Sequence, residues 1–139
     1  MRLKLAEFTS RVVGKPYKLG QTDCAGLIME FANYVGVRLP DSWKGFSVSA
    51  YAELYRDDPV KAMGLFVEWA TSVGREVAPC KAFAGDLLVA SAKGAKQASL
   101  SLLIHAGQDQ ALCVLEKRGV CHVPLRAYDI LKAYRWRDR

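Results

Sequence analysis

Thr22-Asp23-Cys24-Ala25-Gly26-Leu27-Ile28-Met29-Glu30-Phe31-Ala32-Asn33-Tyr34-Val35-Gly36 is the stretch whose reading decides the fold. Cys24, Leu27, Ile28, Phe31, Ala32 and Val35 recur at i, i+3, i+4, i+7, i+8 and i+11, one buried helix stripe. Thr22 or Asp23 can accept hydrogen bonds from the unpaired first-turn amides, and Gly36 can end the helix. Before this helix, Leu3, Leu5, Ala6, Phe8, Val12 and Val13 predict an amphipathic opening helix closed by Gly14 and Pro16. A loop from Lys15 to Gln21 joins the two. After it, Leu39 to Val48 reads as loop, and Ser49 as the cap of a short helix through Tyr55. Asp58-Pro59 is a further start signal, Asp as cap and Pro at the first helical position. Val60, Met63, Phe66, Val67, Ala70 and Val73 form that helix's apolar face, and Gly74 ends it.

The second half changes period. Gly85-Asp86 introduces a buried strand, Leu87-Leu88-Val89-Ala90, followed by a small-residue loop from Lys93 to Ala98. Strands are expected from Ser99 to Ala106, Ala111 to Leu115 and Val120 to Val123. Turns fall at Gly107-Gln108-Asp109 and Glu116-Lys117-Arg118-Gly119, and a last strand returns at Ala133 to Trp136. Helices first and an antiparallel meander second predict an α+β fold: N-terminal helices packed on a C-terminal antiparallel sheet of about five strands. Neither repeat nor linker divides the 139 residues, so residues 1–139 read as one domain. Its helical half covers about 1–75 and its sheet half about 76–139.

Composition narrows the function classes. Hydrophobic residues at 51% and charged residues at 24% are globular values. No run reaches the roughly 18–20 apolar residues of a membrane span, and the start lacks the apolar run of a signal peptide. Synthesis in the cytoplasm is therefore expected. The net charge of +6 spreads along the chain, densest at Arg135-Trp136-Arg137-Asp138-Arg139. Without a recognition helix, an aromatic RNA-binding strand or a Gly-rich phosphate loop, nucleic acid is not favoured as partner. A solvated basic face is the simpler reading. The four cysteines show no Cys-x-x-Cys pair, so free thiols are expected, with no metal and no cofactor. Cys80 and Cys121 read as small buried hydrophobes, and Trp43, Trp69 and Trp136 as core or interface aromatics.

Only two histidines, His105 and His122, are present to supply imidazole chemistry. Cys24 is the candidate nucleophile. A thiol in the first turn of a helix feels the positive end of the dipole and unpaired amides, which favour thiolate and can receive an oxyanion. The same spacing also fits Cys24 as the first residue of the core stripe.

Gly14-Lys15-Pro16-Tyr17-Lys18-Leu19-Gly20, Asp23-Cys24-Ala25-Gly26-Leu27 and Ala84-Gly85-Asp86-Leu87-Leu88 together resemble the NlpC-type, papain-like cysteine peptidases. Members of that family cut peptidoglycan stem peptides. In layout the chain is most similar to the short single-domain versions at the tail tips of bacteriophages and gene transfer agents. The resemblance implies a papain-like fold with Cys24 at the nucleophile position and Tyr17 as the aromatic beside it. It also implies Ser99 at the family's histidine position and Cys113 at the third, orienting position. Serine neither accepts the thiol proton nor protonates the leaving amine, a loss on the order of 10²–10⁴-fold. The resemblance therefore implies a degenerate peptidase, acting as a structural or wall-binding component of a virion. Its expected partners are other tail-tip or hub proteins and peptidoglycan peptides.

The surviving histidines have separate expectations. His105 lies about 20 Å along the strand from Ser99, where turn backbone satisfies it. His122 is the alternative base. With a two-residue turn at Lys117-Arg118 it lies opposite Cys113, and one more loop residue slips it to the other face.

Overall fold

The computed structural model describes residues 1–18, 21–37, 53–54, 56–94 and 100–137. Helix α1 spans Arg2–Val12 and buries Leu5, Phe8 and Val12, the i, i+3, i+7 stripe of an amphipathic helix. Helix α2 spans Cys24–Tyr34 and buries Leu27, Ile28, Phe31 and Ala32. Of the two candidate caps the structure uses Asp23, whose Oδ1 accepts from the Gly26 amide at 2.8 Å. Gly36 takes a left-handed φ of 81° just past its end. Helix α3 spans Pro59–Val73, with Asp58 Oδ1 accepting from the Lys61 amide at 3.1 Å. Glu53, Leu54, Arg56 and Asp57 are helical, while the rest of the helix expected from Ser49 to Tyr55 lies outside the described residues. So do the loop expected from Leu39 to Val48, with Trp43, and residues 95–98 of the later loop.

The sheet has six strands rather than about five. They are β1 (Gly74–Val77), β2 (Leu87–Ala92), β3 (Leu100–Gly107), β4 (Gln110–Leu115), β5 (Gly119–Pro124) and β6 (Tyr128–Trp136). Their order is β1-β6-β2-β3-β4-β5, and every neighbouring pair is antiparallel. The added strand, Gly74-Arg75-Glu76-Val77, starts directly where α3 stops, so the sheet begins at 74. Its exposed polar residues, Arg75 and Glu76, carry no strand period, and pairing with β6 alone makes it a strand.

One face of the sheet packs on the helices. Leu87, Val89, Leu102, Ile104, Leu112, Val120, Tyr134 and Trp136 meet Phe8, Leu27, Phe31, Phe66 and Trp69 there. Phe31 and Trp69 each hold a ring centroid 6.1 Å from Trp136, edge to face. The other face buries Leu88, Ala90, Leu103, Ala111, Cys113, Cys121, Val123 and Ala133, with Val77, Ala82, Leu125 and Tyr128 packed against them. β2 and β3 bury side chains on both faces, which is why they read as continuous apolar runs.

Gly85-Asp86 ties the start of β2 to the end of β6. Asp86 is 2% exposed. It accepts from the Phe83 amide at 3.0 Å and from Arg135 Nε and Nη2 at 3.3 and 3.0 Å. The Arg135 guanidinium lies 3.6 Å over the Phe83 ring, and Trp136 Nε1 donates to the Gly85 carbonyl at 2.8 Å. Arg137 donates to the Gly74 carbonyl at 3.1 Å. Arg135 and Arg137 of the basic cluster are thus fastened to the fold rather than freely solvated; 138 and 139 lie outside the described residues.

Candidate active site

The path into α2 is set by glycines that permit close backbone approach. The Gly14 amide donates to the Val120 carbonyl at 2.9 Å, and the Val120 amide to the Lys15 carbonyl at 2.9 Å, which covers the open edge of β5. Gly119 has a φ of +70°, and a Cβ there would sit 3.0 Å from Pro16 Cα and overlap the Lys15 carbonyl. Lys18 and Thr22 then exchange backbone hydrogen bonds of 3.0 and 2.8 Å, doubling the chain back onto the helix start. Gly26 lies under this turn, where a Cβ would overlap the Gln21 carbonyl oxygen.

This geometry brings Tyr17 and Cys24 together. Cys24 is the first residue of α2 and is partly buried. Its own amide and those of Ala25 and Leu102 favour the thiolate, but burial and the Asp23 carboxylate outweigh them and push the thiol above its ordinary range. Tyr17 is half-buried, and burial, then Glu116, Asp23 and Cys24, raise its hydroxyl, with Arg56 opposing. The helix end thus offers amides to an oxyanion while the nucleophile itself stays protonated at neutral pH. Sequence reasoning missed Leu102. Its amide faces Cys24, and its side chain lies on the helix face of β3.

Cys113 and the two histidines stand apart from this turn. Ser99 is outside the described residues. Ser101, two positions on, pairs with Ala90, which belongs to the face away from the helices. Cys113 is on that same far face, paired with Cys121 and hydrogen-bonded to it. Burial first, then Cys121 and Cys24, push its thiol up to about 12, and Arg118 opposes. Cys80 is exposed in the turn Pro79–Lys81, not buried as expected; proline and lysine on either side hold it at the surface.

The β4–β5 turn holds three residues, Glu116 to Arg118, so Leu115 pairs with Gly119 and Cys113 with Cys121. His122 stands opposite Leu112 and takes the helix face, not the face of Cys113. By register its Cα lies about 12 Å from that of Leu102, two strands over and two residues along. His105 ends β3 as expected, its Nδ1 accepting from the Gly107 amide at 3.0 Å. Burial lowers its pKa, with Asp86 and Asp109 opposing. Both histidines line one cleft against α1, and Cys24 is not among its lining residues. Among the described residues no group of three or more His, Cys, Asp or Glu is arranged to hold a metal ion, and no helix is long and apolar enough to cross a membrane.

Helices on a six-stranded antiparallel sheet, with a cysteine opening the central helix, define an NlpC/P60-like α+β fold. Among the solved structures that share it are three NlpC/P60 proteins. The NlpC/p60 domain of the peptidoglycan hydrolase SagA has 17% identity and a TM-score of 0.62, over 97% of this chain and 98% of that one. A lipoprotein-like NLP/P60 family protein from Staphylococcus aureus subsp. aureus Mu50 gives 16% and 0.62, over 99% and 42%. An NlpC/P60 family protein from Bacillus cereus ATCC 10987 gives 17% and 0.63, over 98% and 40%. The chain thus spans about two fifths of the latter two proteins. At these identities the likeness is one of fold. The chain itself belongs to the family Domain of unknown function (DUF6950), whose model matches residues 1–136. No curated protein sequence matches it.

Proposed function

We propose that this chain is an NlpC-type cell-wall-peptidase-like protein that has lost its catalytic base. In this reading it acts as a structural or wall- and partner-binding component of a phage tail tip or a gene-transfer-agent-like particle. The observation that carries the reading is that both imidazoles line a cleft against α1 whose lining residues do not include Cys24, the first residue of α2. Thiol peptidase chemistry needs a base within about 2.6–3.2 Å, or one water, of the nucleophile. Cys24 instead has Asp23 and Tyr17 beside it, and its thiol is held protonated. The tail assignment draws on the resemblance in the layout of the motifs, and the +6 charge suits an anionic envelope or an acidic partner subunit.

A second reading, an active stem-peptide peptidase with His122 as base, draws on one observation. His122 pairs with Leu112 and so occupies the sheet face on which α2 packs. Incubation of the purified protein with muropeptides separates the two. The degenerate reading expects no turnover and slow alkylation of Cys24 by iodoacetamide at neutral pH. Turnover abolished by both Cys24→Ala and His122→Ala would establish the peptidase instead. Mass spectrometry of purified particles tests the location: a tail component copurifies with tails, and a protein found only in lysate is not one.

A further inference from the structure

The cleft holding both histidines lies at the other end of the sheet from the first turn of α2, and it is a cavity of about 710 Å³. That volume is within the roughly 300–1,000 Å³ of small-ligand sites. One wall is a single stripe of α1, with Arg2, Leu5, Ala6 and Thr9 at i, i+3, i+4 and i+7. The opposite wall is the end of β3 with His105, joined by His122 from β5 and by Phe83. Among the described lining residues none is an aspartate or glutamate, and Arg2 brings a permanent cation; Asp86 and Asp109 act on His105 from outside the lining.

The histidine geometry adds a directed donor. His105 Nδ1 already accepts the Gly107 amide, so the neutral ring carries its proton on Nε2, the nitrogen left for a ligand. Burial keeps that ring neutral near pH 7. Leu5, Ala6 and the exposed residue Phe83 offer apolar surface next to these donors. A ligand matching this lining has a carboxylate for Arg2 and His105 and a short apolar body for α1.

We propose that this cleft is a binding site for a small carboxylate-bearing ligand, either a free organic acid or the carboxyl terminus of a short peptide. The site is independent of Cys24 and of any peptidase activity. Amide chemical shifts of the ¹⁵N-labelled chain are followed during titration with N-acetyl-alanyl-alanine, with its C-terminal amide, and with propionate. The acid dipeptide is expected to shift the Thr9, Gly107 and Gln108 amides saturably, and the C-terminal amide to leave them in place. Propionate equal to the dipeptide assigns a free acid, whereas a dipeptide about tenfold tighter assigns a peptide terminus. Arg2→Gln, at an exposed position, weakens binding about fivefold, and Arg75→Gln, outside the cleft, leaves it unchanged. His105→Gln, whose folding is read in the same spectra, weakens it as well. Equal shifts from acid and amide, shifts centred on α2, or none up to about 10 mM overturn the proposal.

Discussion

At one end of the sheet the thiol that opens α2 meets two amides of its own helix start, the Leu102 amide of β3 and Tyr17 of the preceding loop; at the other a cleft gathers the only two imidazoles in the chain. A cysteine hydrolase needs these parts in one place, so the distance between them bears on function more than the presence of either. The two ends also differ in construction. The thiol end is shaped by glycines that let backbones touch, Gly26 under Gln21 and Gly119 under Lys15. The imidazole end is held by charge, through buried Asp86 and its bonds to Arg135 and the Phe83 amide.

Four experiments bear on this contrast, ordered from the largest expected effect. Asp86→Ala strands the Arg135 guanidinium in a largely buried place, and urea unfolding should show a loss of about 3–5 kcal/mol. The milder Asp86→Asn should lower the His105 pKa further, since the carboxylate now raises it, as an NMR titration of the ring would show. A loss below 1 kcal/mol for the alanine variant would mean the imidazole end is not charge-held.

Gly119→Ala forces a left-handed φ on a residue with a Cβ and drives that Cβ into Lys15, for about 2–3 kcal/mol in the same assay. Because the displaced segment carries Tyr17, Cys24 alkylation should also speed up. Unchanged alkylation would separate the β5 clamp from the thiol.

The thiols predict a stability trend with pH. Cys113 titrates near 12 in the folded chain and near 9 when unperturbed, so the unfolded chain loses its proton first. The contribution is complete below pH 9 and is lost as pH rises toward 12. Cys113→Ala should therefore show a shallower decline than wild type in denaturation midpoints between pH 9 and 11.

The smallest effect is kinetic. Exposed Cys80 should react first with iodoacetamide, Cys24 more slowly, and Cys113 and Cys121 only on unfolding. Asp23→Asn keeps a capping acceptor but removes the charge that raises the Cys24 pKa, so its alkylation at pH 8 should accelerate several-fold. An unaccelerated Asn variant would assign the protonated thiol to burial alone.

How much of this was legible follows from which signals are local. The α2 stripe, the caps at Asp23 and Asp58 and the turn backbone at His105 depend on nearby residues, and they are visible as spacing and residue type. Strand β1 depends on a partner far along the chain, and its polar residues announce nothing alone. β6 starts at Tyr128 rather than Ala133 because the register shift between Val89 and Ala90 breaks the alternation that would have marked it. At the site, Tyr17 beside Cys24 was suggested by the resemblance of the motif alone. Leu102 was not, because a strand buried on both faces gives no sign of which residues look toward the helix. The pairing of His122 turned on one residue in the Glu116–Arg118 turn, which pattern alone left open.

The strand order has a consequence for how the protein comes into being. β6 is the last strand in the sequence, yet it lies between β1 and β2. On a ribosome adding about 5–20 residues per second, β1 emerges several seconds before its partner exists. Until then β2 has a bare edge, Asp86 lacks Arg135, and Trp69 lacks the ring of Trp136. The sheet thus closes only when residues 128–136 pair with both β1 and β2. A nascent chain stalled short of that step carries an apolar surface that a holding chaperone is suited to cover.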